Sequence, residues 1–195
     1  MKKLVLLLFI PFVCLGQTAN EYFATGTEKM NGNDYYRAIS NFSKAIELWE
    51  SEALKKEIEV NKLLDGWEAT IKLADGWDYD YYTFCYLWNG ELKQKINDHK
   101  GAITDLDRYI QLLIWDNDER AYLLRGISKH ALEDYYGAIA DFNKSIELKA
   151  DYAEAYRYRG YAKRKLGDNK GAKEDVRKSK LIIIIDDIKD DINPK

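Results

Sequence analysis

The sequence predicts an all-α protein built as a solenoid of stacked antiparallel helix pairs, and three observations carry that prediction. The stretch DYYRAISNFSKAIEL at residues 34–48 returns as DYYGAIADFNKSIEL at 134–148, with five of fifteen positions changed. Gly26, Gly90, Gly126 and Gly160 each precede an alanine by twelve residues (Ala38, Ala102, Ala138 and Ala172), at successive intervals of 64, 36 and 34 residues. Within the doubled stretch, Ala38, Phe42, Ala45 and Ile46, and again Ala138, Phe142, Ser145 and Ile146, follow the three- and four-residue spacing of an amphipathic helix. One helix pair cannot bury such a stripe alone, whereas stacked copies bury a continuous core.

Composition agrees with this class. The 195 residues are 46% apolar and 32% charged, ordinary for a domain with a real core, and fifteen tyrosines and five tryptophans stand against only two prolines. The formal charge of −3 lacks the basic face that a general nucleic-acid binder needs.

Residues 1–16 read as a cleavable export signal. Lys2 and Lys3 precede an apolar run from Leu4 to Val13, too short to span a bilayer, and small and polar residues follow. Cleavage is placed after Gly16, with Ala19 as the next candidate start, and leaves 28 basic against 33 acidic side chains, a charge of −5. Lipid attachment at Cys14 is the alternative, opposed by Val13 where a small residue normally stands; a membrane partner is expected only in that case. Without Cys14, Cys85 is alone in the aromatic stretch YTFCYLW, which predicts a buried, inert thiol and no internal disulfide.

The domain proper spans 17–195, with repeats at about 19–50, 83–116, 119–152 and 153–186. Each first helix carries a tyrosine four residues before its glycine: Tyr22, Tyr86, Tyr122 and Tyr156. The turns NGND, KIND, ALED and KLGD each end in an aspartate placed to cap the second helix. A mid-helix glycine costs up to about 1 kcal/mol, so four at matching places predict close approach of the partner helix at the small alanine. Arg125 with Asp141, and Arg159 with Asp175, fall at matching places and predict ion pairs across the hairpins, where the first unit has Thr25 and Asn41 and the second Asn89 and Asp105.

Residues 51–82 lack the glycine–alanine pair but keep helical periodicity through Leu54, Ile58, Leu64, Trp67, Ile71 and Ala74. They read as a degenerate helical insertion: a helix pair turning at Asp65-Gly66, or one long helix ending at Asp75-Gly76. Asp75, Asp78 and Asp80 lack the ligand spacing and closing glutamate of a calcium loop, so a solvated turn is expected there. At the C-terminus Ile182, Ile185, Ile188 and Ile192 share a helical face, which predicts a capping helix over the open end of the stack; a β-rich tail is the rival.

The four units resemble the tetratricopeptide repeat family, through YFATG…NDYYRAISNFSKAIEL, YLWNG…NDHKGAITDLDRYIQL, YLLRG…EDYYGAIADFNKSIEL and YRYRG…GDNKGAKEDVRKSKL. The family's proline between repeats is missing near Glu50 and Ala150, and the last unit has Val176 and Lys173 where a large aromatic and an isoleucine are usual. The resemblance implies a right-handed α-solenoid whose first helices line a concave groove that takes a peptide or protein segment. With the tyrosine–glycine packing face set aside, the groove stripe is Phe23, Thr27 and Met30; Leu87, Glu91 and Gln94; Arg120, Leu123, Ile127 and His130; and Glu154, Arg157, Tyr161 and Arg164. Arg157, Arg159, Lys163, Arg164 and Lys165 make a basic end suited to an acidic peptide. Thr27, Glu91 and Ile127 depart from the lysine and asparagine set of the chaperone-binding members, so a chaperone partner is not expected.

No catalytic motif is present, and His99 and His130 lie in different units. The expectation is a non-enzymatic, exported interaction module or scaffold, periplasmic or extracellular, with a protein or peptide partner, no nucleic acid, no cofactor and no metal. An obligate subunit of a cell-envelope complex is the alternative, and an enzyme or metal-dependent binder using 51–82 is a third.

Overall fold

Four interhelical turns share one backbone design. Asn33, Asn97, Glu133 and Gly167 take left-handed φ values of 61°, 62°, 65° and 86°, each immediately before an aspartate. That aspartate accepts a hydrogen bond from a backbone N–H three residues on: Asp98 from Gly101 at 3.0 Å, Asp134 from Gly137 at 2.9 Å and Asp168 from Gly171 at 2.8 Å. The bond from Arg37 to Asp34 is longer, 3.3 Å. In the other three turns the donating residue is glycine, and the carboxylate lies where a Cβ would stand, 2.1–2.2 Å from its position. The Arg37/Gly137 difference in the doubled stretch is therefore a difference in cap geometry.

The computed structural model describes residues 17–63, 79–113 and 118–192. They form eight helices: α1 (Ala19–Asn31), α2 (Tyr35–Leu63), α3 (Tyr79–Lys95), α4 (His99–Leu112), α5 (Glu119–Ala131), α6 (Tyr135–Leu148), α7 (Ala153–Lys165) and α8 (Asn169–Ile192). Thr18 opens α1 with a reciprocal capping box, its hydroxyl receiving the Glu21 N–H while the Glu21 carboxylate receives the Thr18 N–H.

The helices pair as α1–α2, α3–α4, α5–α6 and α7–α8, and each pair packs on the next through α2–α3, α4–α5 and α6–α7. First helices also touch one another, α1 with α3, α3 with α5 and α5 with α7, whereas among the described residues the second helices do not. The first helices thus crowd one side of a curved stack and the second helices spread along the other. The fold is an all-α solenoid, as the repeat predicts.

The repeated glycines make the close approach expected of them, but against a different residue. A Cβ on Gly26 would lie 2.6 Å from the Phe42 ring, on Gly126 2.6 Å from Phe142 and on Gly90 2.6 Å from Leu106. The glycine is a seat for the large side chain sixteen positions on, and the buried alanine lets the helices come near enough to fill it. In the last hairpin Val176 replaces that ring, and the nearest atoms to a Gly160 Cβ are 3.1 Å and 3.2 Å away.

Two regions lie outside the regular repeat. Residues 51–63 are helical and continue α2, and Glu50, near the missing proline, accepts hydrogen bonds from the hydroxyls of Tyr82 and Tyr86, both at 2.9 Å. Asp65-Gly66 and Asp75-Gly76 lie outside the described residues, as do residues 1–16 with Cys14. The C-terminal segment is helical, as expected, and not a strand: α8 runs unbroken from the last repeat to Ile192. Ile182 is buried, but Ile185 and Ile188 are exposed, because among the described residues α8 packs on α7 alone and its second half passes beyond that partner. None of the described helices is long and apolar enough to cross a membrane.

Candidate functional site

The crowded side of the stack, lined by α1, α3, α5 and α7, is the candidate groove. Its N-terminal end is aromatic. Phe23 on α1 stacks with Tyr81 on α3 at 4.5 Å between ring centroids and with Trp88 at 5.3 Å, and Trp88 stacks in turn with Phe84 at 5.9 Å. Phe42 and Trp49 from α2 brace Phe23 from behind at 5.9 Å and 6.2 Å. Tyr81 and Phe84 remain 43% and 38% exposed, so the ring cluster is anchored in the core yet open to solvent. Of this cluster the sequence stripe contained only Phe23; Tyr81, Phe84 and Trp88 were missed because they fall in and beside the stretch without a clear repeat register.

The middle of the groove is polar and internally satisfied. Arg120 on α5 forms an ion pair with Glu91 on α3. The Gln94 side-chain amide donates to the Leu124 carbonyl and, at 2.6 Å, to the Ser128 hydroxyl, tying α3 to α5. Thr27 turns its hydroxyl onto the Phe23 carbonyl at 3.0 Å. Leu87 and Leu123, expected on the groove surface, are each 3% exposed and belong to the core. Neighbouring first helices sit closer together at these positions than a free stripe would allow. Met30 and Ile127 are half-buried against the core clusters.

The C-terminal end carries charge on aromatic rings. Arg157 lies over Tyr158 at 5.2 Å and 3.3 Å from Glu154, and Arg164 lies over Tyr161 at 5.4 Å. The basic end is smaller than the sequence suggests, because Arg159 and Lys163 turn inward onto Asp175. Arg159 makes two bonds to that carboxylate, at 2.9 Å and 2.6 Å, and Lys163 approaches to 2.8 Å. Arg164 and Lys165 remain exposed. His130 packs edge-on against Tyr135 at 5.2 Å, and its Nε2 is buried without a partner among the described residues. Burial, then the nearby Lys165 charge, lowers its pKa below the ordinary histidine value.

Behind the groove, each hairpin carries a polar cluster that changes along the stack. Arg125 is bonded to Asp141 and Asp107, with Lys129 2.8 Å from Asp141. Arg159 repeats this with Asp175, Asn143 and Lys163. One unit earlier Asn89 stands in the arginine's place, buried, with its Oδ1 unpartnered among the described residues, and Asp105 has Lys93 at 2.7 Å. The pKa values diverge accordingly. Burial raises that of Asp105 more than Lys93 lowers it, whereas Arg159 and Lys163 outweigh burial at Asp175 and bring it below the usual carboxylate value. At Arg125 burial is overcome by Asp141 and Asp107, which hold the guanidinium charged.

Cys85 is fully buried, and burial pushes its thiol far above the range in which a thiolate forms. Among the described residues, no three histidine, cysteine or acidic side chains come together as a metal site.

The sequence matches no protein-family model and no curated protein. Solved structures match the fold. A MamA RS-1 double mutant aligns at 19% identity over 87% of this chain and 77% of its own, with a TM-score of 0.66. MamA from residue 41 to its end, from Desulfovibrio magneticus RS-1, aligns at 20% identity over 84% and 75%, with a TM-score of 0.62. The first tetratricopeptide domain of Spaghetti (RPAP3), bound to the HSP90 peptide SRMEEVD, aligns at 16% identity over 77% and 94%, with a TM-score of 0.55. These likenesses concern the fold, and with the four capped hairpins they make the chain a tetratricopeptide-type repeat protein in its architecture.

Proposed function

We propose that the chain is a non-enzymatic protein-interaction module, exported by residues 1–16, whose groove takes a segment of another protein. The observation that carries this reading is the ring cluster of Phe23, Tyr81, Phe84 and Trp88, braced from behind yet partly open. Aromatic rings that are rigidly held but solvent-exposed supply binding area at little entropic cost. Arg164 at the far end, exposed over Tyr161, suits an acidic side chain of the same ligand. A fold neighbour, the Spaghetti domain, was solved with a peptide, which supports a peptide-binding use of this architecture. The net charge of −3 favours a protein over a nucleic acid.

The test is selection of peptides from a random library on the immobilised chain, followed by titration against Phe84→Ala and Arg164→Glu. Selected peptides should carry an apolar anchor and an acidic residue, and each variant should weaken them at least about tenfold. Peptides that bind both variants as well as the native chain contradict the groove reading. Export is tested separately, by fusing residues 1–30 to a phosphatase that is active only outside the bacterial cytoplasm. Activity lost on Leu7→Arg supports the signal; an inactive native fusion contradicts it.

A further inference from the structure

Among the described residues, the C-terminal end of the stack is uncovered. Gly160 and Tyr161 of α7 and Ala172 and Val176 of α8 line a cavity of about 450 Å³, with Arg164, Lys173, Arg177 and Lys180 around it. Where a further repeat would lay its first helix, the described residues place nothing. The same face of α8 continues at three- and four-residue spacing through Ile183, Ile184, Asp187 and Ile188, with the isoleucines 47%, 54% and 52% exposed. One helix face is thus basic around a cavity in its first half, and apolar and acidic in its second.

A face of this kind is complementary to itself when turned end for end. An antiparallel pair of α8 helices centred on Ile182 sets Val176 opposite Ile188 of the second copy, Arg177 opposite Asp187 and Lys180 opposite Ile184. Each contact occurs twice, because the relation is a twofold. We infer that the chain forms a homodimer in which the isoleucine-rich end of each α8 covers the open cavity of the other copy, with Arg177 and Asp187 paired across the interface. This explains why isoleucines that cover nothing among the described residues remain apolar: exposed patches of this kind mark interfaces. The charge pattern fixes direction, since a parallel pair would set Arg177 beside Arg177 and Asp187 beside Asp187. The aromatic end of the concave groove, on α1 and α3, lies away from this cover and is left available for a different ligand, whereas Tyr161 and Arg164 border both surfaces.

The experiment is sedimentation equilibrium of the purified chain at tens of micromolar, with Arg177→Asp, Asp187→Arg and the combined charge exchange. The native chain should be a dimer, each single variant should dissociate at least about tenfold more readily, and the combination should restore the dimer. Both side chains are exposed, so helicity by circular dichroism should not change. Ile184→Lys, which opposes Lys180 of the second copy, should also dissociate and serves as an independent reading if a charge variant misfolds. A native monomer, or a dimer indifferent to these substitutions, overturns the inference, and neither result bears on peptide binding at the aromatic end of the groove, which Phe84→Ala reads separately.

Discussion

Arg125 and Asp141 are joined by two parallel hydrogen bonds across the third hairpin, Nε to Oδ2 at 2.9 Å and Nη2 to Oδ1 at 2.5 Å. Asp141 is buried and also receives Lys129 at 2.8 Å. Asp141→Ala leaves Lys129 without its anion and Arg125 with only the more exposed Asp107, and should destabilise the fold by about 3 kcal/mol in urea denaturation. The double variant with Arg125→Met should cost clearly less than the two single variants added together, a coupling of about 1 kcal/mol or more. Strict additivity would mean that the pair holds nothing together.

Asp175 and Asp105 should respond to acid in opposite senses. Asp175 has a folded pKa below the ordinary 3.8, so its stabilisation is present above that value and is lost as pH falls through the folded pKa. Asp105 has a raised pKa, so its contribution is fully present below 3.8 and is lost as pH rises through the folded value. Asp175→Asn should therefore destabilise more at pH 7 than Asp105→Asn. The Asp175→Asn deficit should shrink as the pH falls below 3.8, through the folded pKa. Denaturation of both variants across this range checks the order, and a larger deficit for Asp105→Asn at pH 7 would reverse it.

The glycine seats make a graded prediction. Gly126→Ala drives a methyl to within 2.6 Å of Phe142, and the overpacking should outweigh the gain in helix propensity, for a net loss of about 1–2 kcal/mol. At Gly160 the nearest atoms are 3.1 Å away, and the same change should stay within about 0.5 kcal/mol of the native chain. Thermal melts of the two variants separate these outcomes.

Glu133 is the one residue among the four left-handed turn positions that is neither glycine nor asparagine. Its φ of 65° crowds the Cβ against the backbone. Glu133→Gly or Glu133→Asn should stabilise the chain by about 1 kcal/mol, read as a rise in the denaturation midpoint with an unchanged slope.

The repeat made the fold legible because each unit needs the same few residues: Gly126 to seat Phe142, Ala138 to let the helices close, Asp134 to cap. Arg125–Asp141 and Arg159–Asp175 were legible for the same reason, as paired substitutions in register. What the pattern hid was curvature. Leu87 and Leu123 occupy positions that spacing assigns to a free stripe, yet contact between successive first helices buries them. Tyr81, Phe84 and Trp88 lie where the repeat register begins, so periodicity did not assign their rings to the groove. The α8 isoleucines show the converse limit: spacing gave them a shared face, but only the position of α7 shows that this face has no partner among the described residues.

The central claim, that a protein segment lies along α1, α3, α5 and α7, is tested most directly by amide chemical-shift mapping of the labelled chain with a library-selected peptide. The account predicts shifts concentrated at Phe23, Phe84, Trp88, Arg120, Tyr161 and Arg164, with α4 and α6 little changed. Shifts confined to the second helices, or to the α8 face, would contradict it.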